Sequence, residues 1–157
     1  MQDIKNIIEI ESQYYATKDY DKLLDIYHQG EETTVIGNLP MKPGEAICVR
    51  SYDAIVQMYA NFHEKVSSQS FPPSTKSEWN INIEGNLAWC TFKESYSFSQ
   101  LDNITFRNVI LKKTNSNWKI INSVTVVDYK TATLNVSISD FPIHLQPLIQ
   151  HWQNEKS

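Results

Sequence analysis

Apolar residues recur at helical spacing from the start of the chain. Over residues 3 to 18, Ile4, Ile7, Ile8, Tyr14 and Tyr15 form one stripe, which Glu11 interrupts. The stretch KDYDKLLDIYHQG predicts a shorter second helix, with Asp19 as its cap and Gly30 as its stop. TTVIG predicts a short strand ended by Gly37, and AICV a brief second one. NLPMKPGE between them carries two prolines and a glycine, so it reads as loop. Ser51 can cap a further helix on which Ile55, Met58, Tyr59, Phe62 and Val66 share a face. Pro72-Pro73 keeps the following SSQSFPPSTKS out of regular structure.

Strand alternation then takes over. Four strands are predicted at about 76–84, 87–98, 104–113 and 118–129, joined by Gly85-Asn86, SQLDN and TNSN. No stretch repeats another. Helices first and an antiparallel meander after them make an α+β layout, in which only the helices can cover the apolar face of a curled sheet.

One strand carries an anomaly. In EGNLAWCTFKESYSF, residues 84 to 98, one face reads Ala88, Cys90, Phe92, Glu94, Tyr96 and Phe98. Tight hairpins would fix the register around it. Glu84 then opposes Leu87, and Trp79, Ile81 and Ile83 lie beside Phe92, Cys90 and Ala88. A four-residue turn at 99–102 sets Phe92 against Val109 and Glu94 against Arg107; another at 114–117 sets Leu111 against Ile120 and Val109 against Asn122. The interior polar groups of that face are then Glu94, Arg107 and Asn122. An unpaired buried carboxylate is costly, and an arginine across the strand satisfies it through two hydrogen bonds. Two readings follow. The pair is a structural ion pair that fixes strand register, or it is the polar end of a ligand pocket with Glu94 as general acid or base. In a pocket, Arg107 would hold Glu94 ionised, which suits a base or acceptor better than an acid.

Composition narrows the partners. A chain of 157 residues, 41% hydrophobic and 20% charged, suits one domain that buries roughly 70% of its unfolded surface without disulfide or metal staples. A net charge of −4 with no basic block argues against nucleic acid. No run approaches the roughly 18 apolar residues of a membrane span. MQDIKNIIEIES lacks the core of a signal peptide, so a cytoplasmic location is expected. Cys48 and Cys90 read as reduced, buried thiols. His28, His63, His144 and His151 have no metal-ligand spacing, and no metal or cofactor is expected. His63, on the helix after Ser51, stays a candidate base. No serine or cysteine sits in a nucleophile elbow, and the dispersed glycines make no phosphate loop. Tyr14, Tyr15, Tyr59, Phe62, Trp79, Phe92 and Tyr96 can all turn inward, as core or as the lining of a cavity for a flat apolar molecule.

YYATKDYDKLLDIYHQGEETTVIG, VRSYDAIVQMY, NINIEGNLAWCTFKESYSF and FRNVILKKTNSNWKII, in that order and spacing, resemble the SnoaL-like branch of the nuclear transport factor 2-like superfamily. The resemblance covers roughly residues 3–129. It implies a cone, in which a strongly curved antiparallel sheet wraps the first helix around a cavity, and homodimers packed through the outer sheet face. Such proteins include ketosteroid isomerases, polyketide cyclases, dehydratases and modules that only bind or assemble. The isomerase base, an aspartate, would fall near Val35-Ile36-Gly37, its tyrosine acid at Glu11 and its second acid near Ile110. Ketosteroid isomerase activity is therefore not implied, and the cyclase aspartate finds no match either.

The expectation is one domain over residues 1–129 and a C-terminal extension over 130–157 that packs on it. In the extension, TATLNVSIS would add to the sheet. DFPIHLQPLIQHWQ offers an apolar surface from Phe141, Leu145, Leu148, Ile149 and Trp152, which could instead cover the cone mouth or reach a dimer partner. The cone of a homodimer would bind a small, mostly apolar or aromatic ligand. Glu94, Arg107 and Asn122 would be its polar anchors, with Tyr14, Trp79, Tyr96 and His63 nearby. Whether a reaction follows is left open; it would be a cofactor-independent isomerase, cyclase or hydrolase-like one. The competing expectation is a non-catalytic association module acting through outer-face residues such as Trp89.

Overall fold

The computed structural model describes residues 1–38, 46–66, 74–97, 101–128, 133–134 and 150. Among them the elements run α1 (Gln2–Thr17), α2 (Tyr20–Asp25), β1 (Thr34–Asn38), β2 (Ala46–Arg50), α3 (Tyr52–Val66), β3 (Thr75–Glu84), β4 (Leu87–Ser97), β5 (Leu101–Thr114), β6 (Asn117–Val127) and β7 (Thr133–Leu134). The sheet has the order β2-β1-β6-β5-β4-β3, with β7 on β5 off that path. It is curved and does not close into a barrel.

Local chemistry sets the helix ends. Lys18 adopts a left-handed conformation (φ 59°) and its N–H reaches the carbonyls of Tyr14 and Tyr15, which stops α1. Asp19 then caps α2 by accepting from the Lys22 N–H. The second helix ends earlier than its pattern suggests. Ile26 is still right-handed and closes the helix; beyond it the chain runs parallel to β6, with Ile26 and His28 exchanging backbone hydrogen bonds with Ile120 (2.9 and 2.8 Å). That pairing continues into β1, which lies parallel to β6.

The core sits between the helices and the inner sheet face. Ile4 and Ile8 of α1, Leu23 of α2, and Ile55 and Tyr59 of α3 pack on Ala88, Cys90, Phe92, Val109, Leu111 and Ile120. Each fully buried aliphatic side chain contributes about 1.5–3 kcal/mol. Cys90 is buried, and burial pushes its thiol up to about 11. Cys48 is not buried: it is exposed on edge strand β2, where alternation leaves one face to solvent.

Three register details decide what faces inward. Between β3 and β4, Glu84 opposes Leu87, Ile83 opposes Ala88 and Ile81 opposes Cys90, as the hairpin predicts. A bulge between Ser77 and Asn80 follows, with Glu78 at φ 54°. Between β4 and β5 the expected register is corrected by two residues: Phe92 opposes Arg107, and Glu94 opposes Thr105. Between β5 and β6, Leu111 opposes Ile120 as expected. An irregularity at Ile110/Leu111 then leaves Ile121 unpaired, so Val109 meets Ser123 and Ile110 meets Asn122. An extra residue on one strand reverses side-chain parity beyond it. Asn122 therefore takes the outer face with Ile110, and Ser123 the inner one.

Of the C-terminal stretch, Thr133 and Leu134 pair with Asp102 and Leu101 at the start of β5. The apolar surface expected on DFPIHLQPLIQHWQ falls almost wholly outside the described residues.

Candidate functional site

Helix α1 presents Ile4, Ile8 and Glu11 to the sheet, so one position of a buried stripe is a carboxylate. Its counter-charge comes from β5. Arg107 Nη1 donates to Glu11 Oε2 at 2.8 Å and Nη2 to Oε1 at 2.9 Å, a two-point clasp. Nη2 also donates to Ser123 Oγ at 2.7 Å. Tyr27 OH donates to Glu11 Oε1 at 2.9 Å and stands 3.5 Å from Tyr59 OH. Burial pushes Tyr59 up to about 12 and Tyr27 well above its ordinary value. Both phenols are therefore hydrogen-bond donors at neutral pH.

Glu94 adjoins this clasp on β4. Its Oε2 is 3.9 Å from Arg107 Nη1, an ion-pair distance but not a hydrogen bond. Its Oε1 accepts from Ser74 Oγ at 2.5 Å and Ser12 Oγ at 3.4 Å. Lys76 Nζ lies 3.5 Å from the same oxygen, 2.9 Å from Ser74 Oγ and 3.1 Å from Glu9 Oε2 of α1. The Lys76 side chain is 0% exposed, and Arg107 and Glu94 about 10% each. Burial raises the Glu94 pKa, but Arg107, Ser74 and Lys76 outweigh it, and the carboxyl is held below the usual glutamate range. Burial likewise opposes the Arg107 charge, and Glu11 and Glu94 overcome it and raise the arginine pKa. Two buried polar atoms beside these groups, Arg107 Nε and Thr105 Oγ1, have no hydrogen-bond partner among the described residues.

An aromatic wall borders the cluster. The Arg107 guanidinium lies 5.6 Å from the Phe92 ring centre, and Phe92 stacks on Trp79 at 4.5 Å. Lys5 Nζ is 5.3 Å from the Trp79 ring.

The structure thus brings together Glu94, Arg107 and Trp79 of the expected site residues. The expected pairing needs correction, since Arg107 spends its hydrogen bonds on Glu11 and Ser123 and meets Glu94 only by charge. Asn122 is not in the site, because the β6 bulge substitutes Ser123. Tyr14 sits at the rim of the core with its ring 5.7 Å from the Lys22 ammonium. The backbones of His63 and Tyr96 lie in α3 and β4, and their side chains fall outside the described residues.

Sequence reasoning missed Glu11, Tyr27, Ser123, Lys76 and Ser74. Glu11 had a readable signal, an acid breaking a buried stripe. Ser123 and Lys76 had none, since each owes its direction to a bulge. Among the described residues, no three His, Cys, Asp or Glu side chains are placed to share a metal ion.

The outer sheet face is different in character. An open groove of about 330 Å³ is lined by Glu78, Thr91, Lys93, Phe106, Asn108, Val124 and Val126, and also by Phe92 and Arg107 of the strands that carry the polar cluster. Phe106, Val126 and Trp89 on this face are 47%, 51% and 40% exposed. Among the described residues, no helix is long and apolar enough to cross a membrane.

No family model and no curated protein matches the sequence. Solved structures do match the fold. An NTF2-like protein of unknown function from Pseudomonas putida superposes with a TM-score of 0.64 at 12% identity, over 87% of this chain and 94% of its own. A protein of unknown function with a cystatin-like fold from Nostoc punctiforme gives 0.61 at 11% identity, over 81% and 90%. The chain has the NTF2-like, cystatin-like fold. Other solved structures with this fold bear provisional names as different as a ketosteroid isomerase from Parabacteroides distasonis and a calcium/calmodulin-dependent kinase association domain from Thiobacillus denitrificans. At such low identity the NTF2-like shape is shared and the chemistry is left open.

Proposed function

We propose that this NTF2-like protein is a homodimer of the SnoaL-like kind whose cone binds a small, mostly apolar molecule against Glu94 and Arg107. One observation carries the reading: an ionised, nine-tenths buried carboxylate stands beside the Arg107–Phe92–Trp79 stack on the concave side of the sheet. A flat apolar body would lie on the rings while its polar end reaches the carboxylate. Held ionised, Glu94 suits the role of hydrogen-bond acceptor or general base. Reaction chemistry, if the ligand is turned over, would be proton transfer at Glu94. A cytoplasmic location belongs to the same proposal, because free Cys48 and Cys90 suit a reducing compartment.

Native mass spectrometry of the purified protein tests it. A co-purifying small molecule that is lost from Glu94→Gln, while the dimer persists, supports the proposal. Retention of the molecule by Glu94→Gln counts against that site.

A second reading is favoured by the exposed Phe106, Val126 and Trp89 around the outer groove. On this reading the protein is an association module and the buried charges serve only its stability. It expects function to fail on outer-face substitution and to survive Glu94→Gln.

A further inference from the structure

We infer that Arg107 and Tyr27 form a carboxylate receptor inside the fold and that Glu11 is its built-in occupant. Glu11 is then the residue that denies the arginine to external acids. Occupancy of this receptor is independent of any ligand at Glu94.

One carboxylate collects three donors. Arg107 Nη1 reaches Glu11 Oε2 at 2.8 Å, Nη2 reaches Oε1 at 2.9 Å, and the Tyr27 hydroxyl donates to Oε1 at 2.9 Å. A guanidinium fork set on both oxygens of one acid is the geometry by which arginine recognises carboxylates. These donors are held from behind. Ser123 Oγ accepts from Nη2 at 2.7 Å, and the Phe92 ring centre lies 5.6 Å from the guanidinium. Tyr27 is fixed by its bridge to Ile120 and by the Tyr59 hydroxyl at 3.5 Å. Ser123, Phe92, Ile120 and Tyr59 belong to β6, β4, β6 and α3, so none of these supports comes from α1. Only the occupant does. The receptor therefore stands whether or not Glu11 fills it.

Room follows from the occupant itself. Shortening Glu11 to alanine removes a methylene and a carboxylate, the same heavy atoms that make up acetate. Glu11 is buried, and buried surroundings relax only partly around a deleted group. Arg107 would be left with a charge that burial opposes, and with Glu94 Oε2 at 3.9 Å, beyond hydrogen-bonding range. In the parent the receptor is closed. An external acid would have to displace a tethered one, on a helix anchored in the core by Ile4 and Ile8.

The test is urea unfolding of Glu11→Ala at about pH 7, where acetate is ionised, in sodium acetate against sodium chloride of equal ionic strength. Above its dissociation constant, acetate should raise the folding equilibrium constant roughly tenfold for each tenfold rise in concentration, the slope of one bound ion per chain. Formate leaves a gap and butyrate overfills the space, so both should give smaller gains. The parent should show no such slope, and neither should Glu11→Ala/Arg107→Met, which lacks the fork. If Glu11→Ala is unfolded in chloride, the gain is read as native circular dichroism restored by acetate. No gain over chloride in either form means that water fills the space, and it overturns the inference. Equal gains from all three acids, or a gain shared by the double variant, mark a general salt effect and overturn it as well. A slope in the parent would mean that Glu11 yields its place to external acids, and would overturn its role as the barrier.

Discussion

Arg107 and Glu11 clasp each other through two hydrogen bonds of 2.8 and 2.9 Å, and so tie the middle of the sheet to the first helix. The clasp is the centre of the polar interior. Tyr27 reaches it from the segment after α2, Ser123 from β6, and Glu94 from β4.

Breaking the clasp from one side strips the other buried charge of its hydrogen-bonded partner, which costs about 3–5 kcal/mol, toward the low end for Glu11→Leu because Glu94 still faces Arg107 at 3.9 Å. Glu11→Leu and Arg107→Met should each destabilise the fold by that order in urea unfolding. The double substitution should recover much of the loss, since it removes both desolvation costs and keeps apolar volume. If the double variant is as unstable as the two single losses added together, Glu11 and Arg107 are not energetically paired.

Glu94 makes stability depend on acid. Its pKa is lowered from the ordinary 4.5 because Arg107, Ser74 and Lys76 outweigh the opposing effect of burial. A carboxyl with a depressed folded pKa contributes stability that is complete above the unfolded value and is lost as pH falls through the folded one. Urea midpoints followed from about pH 6 to about pH 3 should therefore fall, and Glu94→Gln should flatten that acid limb. An unchanged slope in Glu94→Gln would assign the acid sensitivity to other carboxylates.

How much of this was visible in the sequence depends on parity. The β4–β5 register is two residues from the one that tight turns suggest, yet Glu94 and Arg107 still share a face, because side chains alternate with period two. The β6 bulge at Ile121 is a single residue, and it exchanges Asn122 for Ser123. The β3 bulge, between Ser77 and Asn80, likewise separates the hairpin register from the stretch where Lys76 stands opposite Glu94. A bulge leaves no signal where apolar residues follow one another, as Ile120 and Ile121 do, because either can take the inner face. Helix α1 was legible because Glu11 breaks a stripe, and only the partner's identity had to come from three dimensions.

Lys76 should be felt at Glu94. Its ammonium, 3.5 Å from Glu94 Oε1 and wholly buried, is one of the groups that lower the carboxyl's pKa. Lys76→Met keeps the apolar stem and removes the charge. The Glu94 carboxyl carbon, titrated by NMR, should then move its midpoint upward, toward the ordinary 4.5 or beyond it. A midpoint that stays put would mean Lys76 serves only Glu9 and Ser74.

The outer face separates the two functional readings. Phe106 lies cross-strand between Lys93 and Val126, and with Trp89 it leaves apolar surface open where Thr91 and Asn108 supply only modest polarity. A lysine there adds a charge that solvent accepts in a monomer but an apolar interface does not. In the homodimer proposed above, Trp89→Lys or Phe106→Lys should therefore shift sedimentation from dimer to monomer while the melting temperature of the separated chain stays close to that of the parent, since exposed substitutions usually change stability by about 0.5 kcal/mol or less. Glu94→Gln should leave sedimentation unchanged. If ligand binding survives in the monomeric variant and fails in Glu94→Gln, the cone alone carries the function. If the pattern is reversed, assembly through the outer face does.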